Sequence, residues 1–224
     1  MNLTRTGENF ADIVYNAIID EILNNNLKAG DKINDMEMAA KLGYSRTPVR
    51  EALIMLEQDG FVKTIGRDGT YVRDFTKEDI REIYIVREAL EVMAARLGAK
   101  AISDDNLSLL ADIVNQMERL VKEEKFVDYS RLDIEFHKLV VLSGNVKMLS
   151  NICNNLGLLS ASIKVRGRYY IENIRRYNEE HRLIYEAFLG HDGDLAETLL
   201  RSHIQNGKMD LLLNRNKFAY DIDE

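Results

Sequence analysis

The chain is poor in the residues that cross-link, break or anchor a polypeptide. It has 224 residues and a single cysteine, Cys153, so no disulfide can form within it, as in proteins of a reducing cytoplasm. The single proline, Pro48, leaves room for long uninterrupted helices and favours a mostly α fold. No run approaches the roughly 18 apolar residues of a transmembrane helix. Residues 1–12 contain no apolar segment typical of a signal peptide, so we expect a cytoplasmic protein with no membrane contact.

The composition is that of a globular protein with a real core. Hydrophobic residues make up 46% and charged residues 30%, which excludes a disordered chain. The net charge of −7 argues against broad contact with nucleic acid. Residues 41–73 reverse this balance, with six lysines and arginines against four aspartates and glutamates. Any contact with DNA must therefore come from a small local patch, and its affinity should depend strongly on salt.

The N-terminal third has the element order of a small DNA-binding domain. Apolar periodicity, caps and turn residues predict three helices followed by two β-strands, with approximate bounds 10–23, 36–42, 45–59, 61–65 and 70–73. Gly43 ends the second helix, and Ser45 or Thr47 can cap the third. This order predicts a winged helix-turn-helix domain with a small β-hairpin over residues 1–75.

The remainder of the chain is helical throughout. We predict a second, all-α domain over residues 76–224, formed by a bundle of about six helices and joined through a short linker at 74–76. The first helix begins at Thr76 and continues past Ala94. The other five have predicted bounds of 103–124, 126–142, 148–170, 173–189 and 195–213. Residues 220–224 are expected to form a frayed tail.

The third N-terminal helix separates a core face from a polar face. Its core face is formed by Val49, Ala52, Leu53 and Leu56. Arg46 and Arg50 are four residues apart on the other face, so both guanidinium groups lie near the helix start. The first residues of the second helix of a helix-turn-helix contact base edges, and arginine can bind guanine through two hydrogen bonds. Ser45 and Thr47 can bind bases or phosphates there.

An ordinary helix offers a simpler interpretation of these residues. A capped amphipathic helix with two solvated arginines would have the same local sequence. The preceding short helix, the following hairpin and the local excess of positive charge favour the DNA-reading interpretation. Arg67, at the tip of the hairpin, can enter a minor groove or remain a solvated turn residue, and the sequence favours neither.

These segments together resemble a known family. Residues 45–53, with Leu56, Gly60, Phe61, Val62, Gly69 and Val72, are similar to the signature of the GntR family of bacterial transcription regulators. The resemblance implies a homodimer that binds a palindromic double-stranded DNA operator. It also implies DNA contacts from the helix start and the wing, through Ser45, Arg46, Thr47, Arg50, Gly66 and Arg67. Met36 replaces a DNA-contacting arginine of the fatty-acid-responsive members, so their operator preference cannot be transferred.

The helical half carries a candidate metal-binding set. Asp133 and His137 are one helical turn apart on the third helix of this half, and His181 and His203 follow apolar stripes on the fifth and sixth. Three imidazoles and one carboxylate suit a divalent transition metal such as Zn, Ni, Mn or Fe. The alternative is a set of unrelated core histidines. His191 lies in a loop rich in glycine and aspartate, where we expect a solvated side chain.

The same half resembles the FCD ligand-binding domain of the FadR-type branch of the GntR family. The similar features are Asp133-x3-His137, Glu180-His181-Arg182-x-Ile184, Arg201-x-His203 and Arg87-x2-Leu90-Glu91. This resemblance implies that Asp133, His137, His181 and His203 bind a metal that anchors a small organic acid. Arg87 is a candidate for binding the carboxylate of that effector, and an internal salt bridge to Glu88 or Glu91 is its alternative.

These observations predict a transcription regulator whose operator affinity is controlled by a small-molecule effector, most simply a carboxylate bound at the metal. Three alternatives stay open for the metal. The ion itself can be the signal, it can serve only to stabilise the bundle, or it can support catalysis. Because no general base accompanies the set and the N-terminal half suits DNA, we do not expect an enzyme.

Overall fold

The computed structural model describes residues 9–164 and 168–214 of the chain. The chain divides into two compact units, with the division between Phe75 and Thr76. The described part of the first unit contains three helices and a three-stranded sheet, and that of the second contains six helices. The mostly α fold predicted from the sequence is therefore confirmed. None of the described helices combines the length and the apolar composition needed to span a membrane.

The first unit contains six elements. In chain order they are α1 Phe10–Leu23, β1 Lys32–Ile33, α2 Asp35–Leu42, α3 Arg46–Gln58, β2 Val62–Ile65 and β3 Gly69–Val72. The strands are antiparallel in the order β1-β3-β2. The hairpin of β2 and β3 agrees with the prediction, but β1 was not predicted, because two residues are too few to show strand periodicity. It is defined by its pairing, in which Lys32 lies opposite Tyr71 and Ile33 opposite Thr70.

The core of the first unit follows from helical periodicity. Apolar side chains of α1, α3 and the sheet are buried there, including Val14, Ile18, Val49, Leu56, Phe61 and Val72. Gly43 ends α2 in the left-handed conformation, with φ 75°, which glycine adopts without steric cost. Ser45 occupies the N-cap position of α3, but its side chain makes no capping hydrogen bond. The result is a short helix, a tight turn and a second helix whose first turn is exposed.

The second unit is a bundle of long helices. They are α4 Lys77–Ala101, α5 Asp104–Lys122, α6 Phe126–Ser143, α7 Lys147–Lys164, α8 Arg168–Leu189 and α9 Gly193–Asn214. Thr76 and Asp79 form a reciprocal capping box at the start of α4. The Ser103 side chain caps α5 by accepting a hydrogen bond from the Asn106 backbone N–H. These helix starts agree with those predicted from the sequence.

One helix boundary in this unit was predicted wrongly. The fourth helix of the bundle was expected to continue to Tyr170, whereas residues 168–170 belong to α8. Residues 165–167 lie outside the described residues, as does the tail predicted at 220–224. The sequence predicted two helices in this region, as the structure contains, but it placed the start of the second at Asn173, whereas α8 starts at Arg168.

Helix α4 packs mainly against α9, α6 and α7, and α8 packs against α9. The interior of this bundle is largely apolar, with large buried side chains such as Tyr84, Phe136 and Phe188. Among the described residues it also contains seven buried acidic or basic side chains that face one another, Arg87, Glu91, Asp133, His137, Lys164, His181 and His203. Ionisable groups are rarely buried without a partner or a ligand, so this polar interior marks the candidate site.

Candidate metal centre and DNA-reading surface

Four ligand groups predicted from the sequence meet inside the second unit. Each of Asp133, His137, His181 and His203 offers one ligand atom, and these atoms all lie within 4.8 Å of one another. Helix α6 supplies two of them through its i, i+4 spacing, while α8 and α9 supply one each. We call these four residues the ligand cluster. All four are buried, and the His181 ring is completely enclosed.

Four atoms of the ligand cluster are buried without a hydrogen-bond partner among the described residues. They are Asp133 Oδ1, both ring nitrogens of His137, and His181 Nε2. Asp133 Oδ1 lies 3.2 Å from His181 Nε2 and 3.9 Å from His137 Nε2, but not in the alignment of a hydrogen bond. A buried unsatisfied polar atom costs about 1–3 kcal/mol. A divalent cation between Asp133 Oδ1, His137 Nε2 and His181 Nε2 would satisfy these three atoms, while His137 Nδ1 faces Glu91, so the residues fit a metal.

A second layer of polar groups orients the histidine rings. Glu180 Oε2 lies 2.7 Å from His203 Nδ1, and Glu91 Oε2 lies 2.8 Å from His137 Nδ1. The hydroxyl of Tyr129 lies 3.1 Å from His181 Nδ1. Histidines that bind metals commonly place one ring nitrogen against such a partner, which fixes the tautomer and leaves the other nitrogen as the ligand. In all three rings the nitrogen in contact with the partner is Nδ1.

Electrostatics keep the ligand cluster in the protonation states that metal binding requires. Burial lowers the pKa of all three histidines, to about 4 for His181, so the rings are neutral at pH 7. Burial opposes ionisation of Asp133, but the ammonium of Lys164 and the neighbouring His181 hold its pKa well below the usual range. Neutral imidazoles and an ionised carboxylate are the forms that coordinate a divalent cation.

Sequence reasoning missed Lys164, at the end of α7. Its Nζ lies 2.9 Å from Asp133 Oδ2, so the lysine holds one carboxylate oxygen while the other faces the histidines. Nothing in the local sequence distinguishes Lys164 from a solvated helix-terminal lysine, and only the packing of α7 buries it. Glu91 and Glu180, the outer partners of His137 and His203, belong to the segments that resemble the FCD domain, but the sequence did not reveal their role. Their spacing could have indicated it, because each lies within one helical turn of an inward-facing residue.

Arg87 is completely buried and already paired. Its Nε donates to Glu91 Oε1 at 2.6 Å, and its Nη1 donates to Ser160 Oγ at 2.7 Å. The internal salt bridge to Glu91, the alternative considered from the sequence, is therefore present. Burial acts to raise the pKa of Glu91, but Arg87 and His137 lower it to about 2. Arg87 also lines a small cavity together with Lys164, Tyr84, Tyr177 and His203.

His191 lies apart from the ligand cluster, in the turn that follows α8. It has a positive φ of 51°, and its Nδ1 lies 3.1 Å from the backbone oxygen of Ala99. The residue is exposed, as its loop position predicted, but the ring also contacts the main chain of α4. His191 therefore offers a natural comparison for the histidines of the ligand cluster.

The predicted DNA-reading residues of the first unit lie on its surface. Ser45, Arg46, Thr47 and Arg50 are exposed around the start of α3, and Gly66 and Arg67 are exposed in the turn between β2 and β3. The structure adds one residue that the sequence did not indicate. Asp35, the first residue of α2, accepts hydrogen bonds from both Arg46 and Arg50. The two arginines are therefore joined through one carboxylate.

Two family models match the chain. The model described as "Bacterial regulatory proteins, gntR family" matches residues 10–72, and the model of the FCD domain matches residues 82–206. The first covers the three N-terminal helices and the hairpin, and the second covers most of the bundle with the whole ligand cluster.

Curated relatives resemble the chain over most of its length. The probable D-xylose utilization operon transcriptional repressor of Paenarthrobacter nicotinovorans is 32% identical, with 90% of this chain and 88% of that protein covered. The Nta operon transcriptional regulator of Aminobacter aminovorans is 30% identical, with 80% and 83% covered. The names of both relatives describe regulators of transcription.

Solved structures share the fold. E. coli McbR/YncC has a TM-score of 0.79 at 21% identity, and the match covers 94% of this chain and all of that one. A GntR regulator from Rhodococcus sp. RHA1 has a TM-score of 0.81 at 23% identity, with 90% and 97% covered. At these identities the likeness concerns the fold alone.

Proposed function

We propose that a small organic acid, bound at a metal, controls the operator affinity of this protein. The premise is that the chain belongs to the GntR family of bacterial regulatory proteins and is a DNA-binding transcription regulator with an FCD domain. The observation that carries this proposal is the convergence of three unsatisfied buried ligand atoms, Asp133 Oδ1, His137 Nε2 and His181 Nε2. A bundle that only needed stability would not collect such atoms in its interior.

The ion we expect is a divalent transition metal, Zn, Ni, Mn or Fe, held by Asp133, His137, His181 and His203. When bound, it would supply a Lewis-acidic position for an anionic oxygen. Four protein ligands do not complete an octahedral shell, so a water molecule or a carboxylate of the effector can take the remaining positions. The outer partners Glu91, Glu180 and Tyr129 would orient the histidine rings.

The cavity beside the ligand cluster suits an anion. Arg87 and Lys164 bring two buried cationic side chains to its wall, and Tyr84 and Tyr177 line it beside them. The positive charges are partly balanced by Glu91 and Asp133, so an entering carboxylate would join existing ion pairs. This arrangement supports an organic acid over a neutral sugar or an amine.

For the DNA side we propose that α3 enters the major groove. Arg46 and Arg50 would contact base edges there, while Ser45 and Thr47 bind bases or phosphates. The turn at Gly66 and Arg67 would contact the neighbouring minor groove or backbone. We infer a homodimer on a palindromic operator, because two such helices read two half-sites about one helical turn apart.

The effector would act by binding one state of the regulator better than the other. Couplings of about 1–3 kcal/mol are usual and would change operator affinity roughly 5- to 150-fold. The deep burial of the ligand cluster favours a second candidate, in which the ion itself is the signal. In that case operator affinity would follow metal occupancy without any acid.

The decisive experiment measures metal content and DNA affinity in the same preparations. Wild-type protein, His203→Ala and the control His191→Ala are incubated with Zn, Ni or Mn, desalted and analysed by elemental mass spectrometry. About one ion per chain is expected in the wild type and the control, and none in His203→Ala. No ion in any preparation would refute the metal site.

Loaded wild-type protein is then titrated with carboxylic acids, sugars and amines while operator binding is followed by fluorescence anisotropy. A shift of operator affinity with an acid alone supports the proposal. A shift with a neutral sugar or an amine instead would refute the carboxylate effector. An affinity that follows metal occupancy, with no response to any small molecule, would identify a metal-responsive regulator.

A further inference from the structure

We propose that Asp35 is a specificity-determining positioning residue of the DNA-reading surface, which holds Arg46 and Arg50 as one pre-arranged pair. The inference rests on the proposed role of α3 as the recognition helix. In this pair a single carboxylate from the preceding helix sets where both guanidinium groups lie before DNA is present. We call Arg46 and Arg50 the arginine pair.

The geometry of the arginine pair is specific. Asp35 accepts two hydrogen bonds from Arg46 Nη2, at 3.0 Å to Oδ1 and 2.9 Å to Oδ2. Its Oδ2 also accepts from Arg50 Nε at 2.7 Å. The Asp35 side chain is 21% exposed, against 48% for Arg46 and 63% for Arg50. The carboxylate therefore lies beneath the guanidinium groups, which remain on the surface.

The position of Asp35 is itself well determined. The side chain of Asn34 caps α2 by accepting hydrogen bonds from the backbone N–H groups of Met36 and Glu37. Gly43 then sets the turn between α2 and α3 with its left-handed conformation. Because Asp35 starts a capped helix, its carboxylate is attached to a fixed part of the backbone, and long arginine side chains tied to it lose rotamer freedom before they meet DNA.

The bonds to Asp35 leave a reading fork available. Arg50 is held through Nε, and its two terminal nitrogens make no hydrogen bond to another described residue. Two N–H groups in such a fork match the O6 and N7 acceptors of guanine in the major groove. Asp35 therefore fixes the stem of Arg50 without occupying the atoms that would read a base.

The carboxylate also changes how the arginines respond to phosphates. An unpaired arginine on a surface binds any nearby phosphate, which adds affinity without sequence preference. Asp35 places one negative charge between two positive ones and so reduces that attraction. The same residue thus lowers affinity for random DNA and aligns the group that reads a base, and both effects increase specificity.

Glu37 provides a matched control for charge. It lies in the first turn of the same helix, it is exposed, and its Oε1 accepts a hydrogen bond from Asn34 Nδ2 at 3.0 Å. No bond joins it to the arginine pair in the described structure. Glu37→Gln and Asp35→Asn therefore remove the same charge from the same helix, but only the second alters the support of Arg46 and Arg50.

The test uses the full-length wild type, Asp35→Asn and Glu37→Gln. A preferred duplex is first selected from random DNA with the wild-type protein. Its affinity and that of a random duplex of equal length are then measured by fluorescence anisotropy at several salt concentrations. Thermal melting checks that the variants are folded.

We expect Asp35→Asn to bind random DNA more tightly, with a salt dependence steeper by about one counterion per chain. Its ratio of specific to random affinity should fall about tenfold or more, which is the size of one lost bidentate contact. Glu37→Gln should keep the wild-type ratio.

Two results would overturn the inference about Asp35 and leave the proposed function intact. One is an unchanged ratio of specific to random affinity in Asp35→Asn. The other is an equal fall of that ratio in Asp35→Asn and Glu37→Gln, which would show that the effect depends on net charge only. If the wild-type protein selected no sequence, the proposed DNA-reading surface would be refuted and the inference with it. The wild-type selection thus separates the two failures.

Discussion

The arginine pair and the ligand cluster are each built around a different aspartate, and the two aspartates differ in their exposure to solvent. Asp35 is part-exposed between two surface arginines, whereas Asp133 is 4% exposed between buried histidines and Lys164. The arginines lower the pKa of Asp35, while that of Asp133 is held well below its usual range. Charges interact far more strongly away from water, and they are costly to leave unpaired there.

This difference has consequences for function. On the surface, salt and water screen the arginine pair, so its bonds to Asp35 can be exchanged for bonds to DNA at little cost. In the interior, the atoms of the ligand cluster are shielded from solvent, so each one that lacks a hydrogen-bond partner or a ligand costs free energy. A DNA-reading surface therefore uses contacts that can be exchanged for contacts with DNA. An ion-binding site uses buried ligand atoms that are satisfied only when the ion is bound.

The largest effect is expected from Asp133→Ala. The change removes the carboxylate that lies 2.9 Å from Lys164 Nζ and breaks a buried ion pair. Such losses typically reduce the free energy of unfolding by about 3–5 kcal/mol. Urea denaturation with a chelator present measures this in the metal-free protein. Glu135→Ala, a half-buried acid on the same helix, should change the free energy of unfolding by less than about 1 kcal/mol. Equal losses in both variants would contradict the comparison.

Acidification should destabilise the metal-free protein through the buried histidines. The pKa of His181 is about 4 in the folded protein, against 6.5 for the ordinary side chain. Because the folded value is the lower one, the unfolded chain binds more protons between these pH values. The contribution of this group to the free energy of unfolding is therefore fully present above pH 6.5. It falls by about 3 kcal/mol as the pH decreases to 4.

Urea denaturation at several pH values, with chelator present, measures this dependence. The variant His181→Gln should show a shallower decline of the unfolding free energy between pH 6.5 and 4. A wild-type stability independent of pH in this range would be evidence against a neutral, buried ring.

A smaller effect is expected from the outer layer of the ligand cluster. Glu180→Gln keeps the shape of the side chain but removes the charge 2.7 Å from His203 Nδ1. Loss of such a partner commonly weakens metal affinity about 10- to 100-fold. Competition with a chromophoric chelator measures the affinity. The neighbouring Glu179, which is exposed and paired with Arg182, provides the control Glu179→Gln, for which we expect no change. Matching affinities for the two variants would dismiss Glu180 as an outer partner.

At the surface, Arg50→Ala should change DNA binding with little effect on the stability of the fold. We expect a loss of about 1–3 kcal/mol in operator binding for each recognition helix, and a smaller loss of affinity for random DNA from the removed charge. The melting temperature should stay near that of the wild type, since the side chain is 63% exposed. Anisotropy titrations with operator and random duplexes measure both affinities. Operator affinity retained by this variant would contradict the placement of α3 as the recognition helix.

Local sequence signals were sufficient for most of the secondary structure. The capping box at Thr76 and Asp79, the Ser103 cap and the glycine at position 43 marked helix ends that the structure contains. These signals work because they depend on bonds within one or two turns of the chain. Signals failed for β1, which depends on pairing with a distant strand, and they misplaced the boundary between α7 and α8.

The candidate ligands could also be selected from the sequence, because i, i+4 spacing and apolar stripes restrict which residues face inward. The roles of their neighbours could not. Lys164 reaches Asp133 across 31 residues, and Tyr129 reaches His181 across 52. Both contacts depend on how whole helices pack. The same holds for Asp35, whose sequence suggests only a favourable acid at the start of a helix.

By itself, the sequence determined the helices, the core faces and the residue types available for chemistry, since periodicity and capping are properties of short segments. The tertiary structure decided which polar groups meet. It brought Asp35 under Arg50, fifteen residues away, and it buried Lys164 beside Asp133. The physical reason is that a polar contact depends on distance and solvent exposure, and both are set only when helices pack against one another.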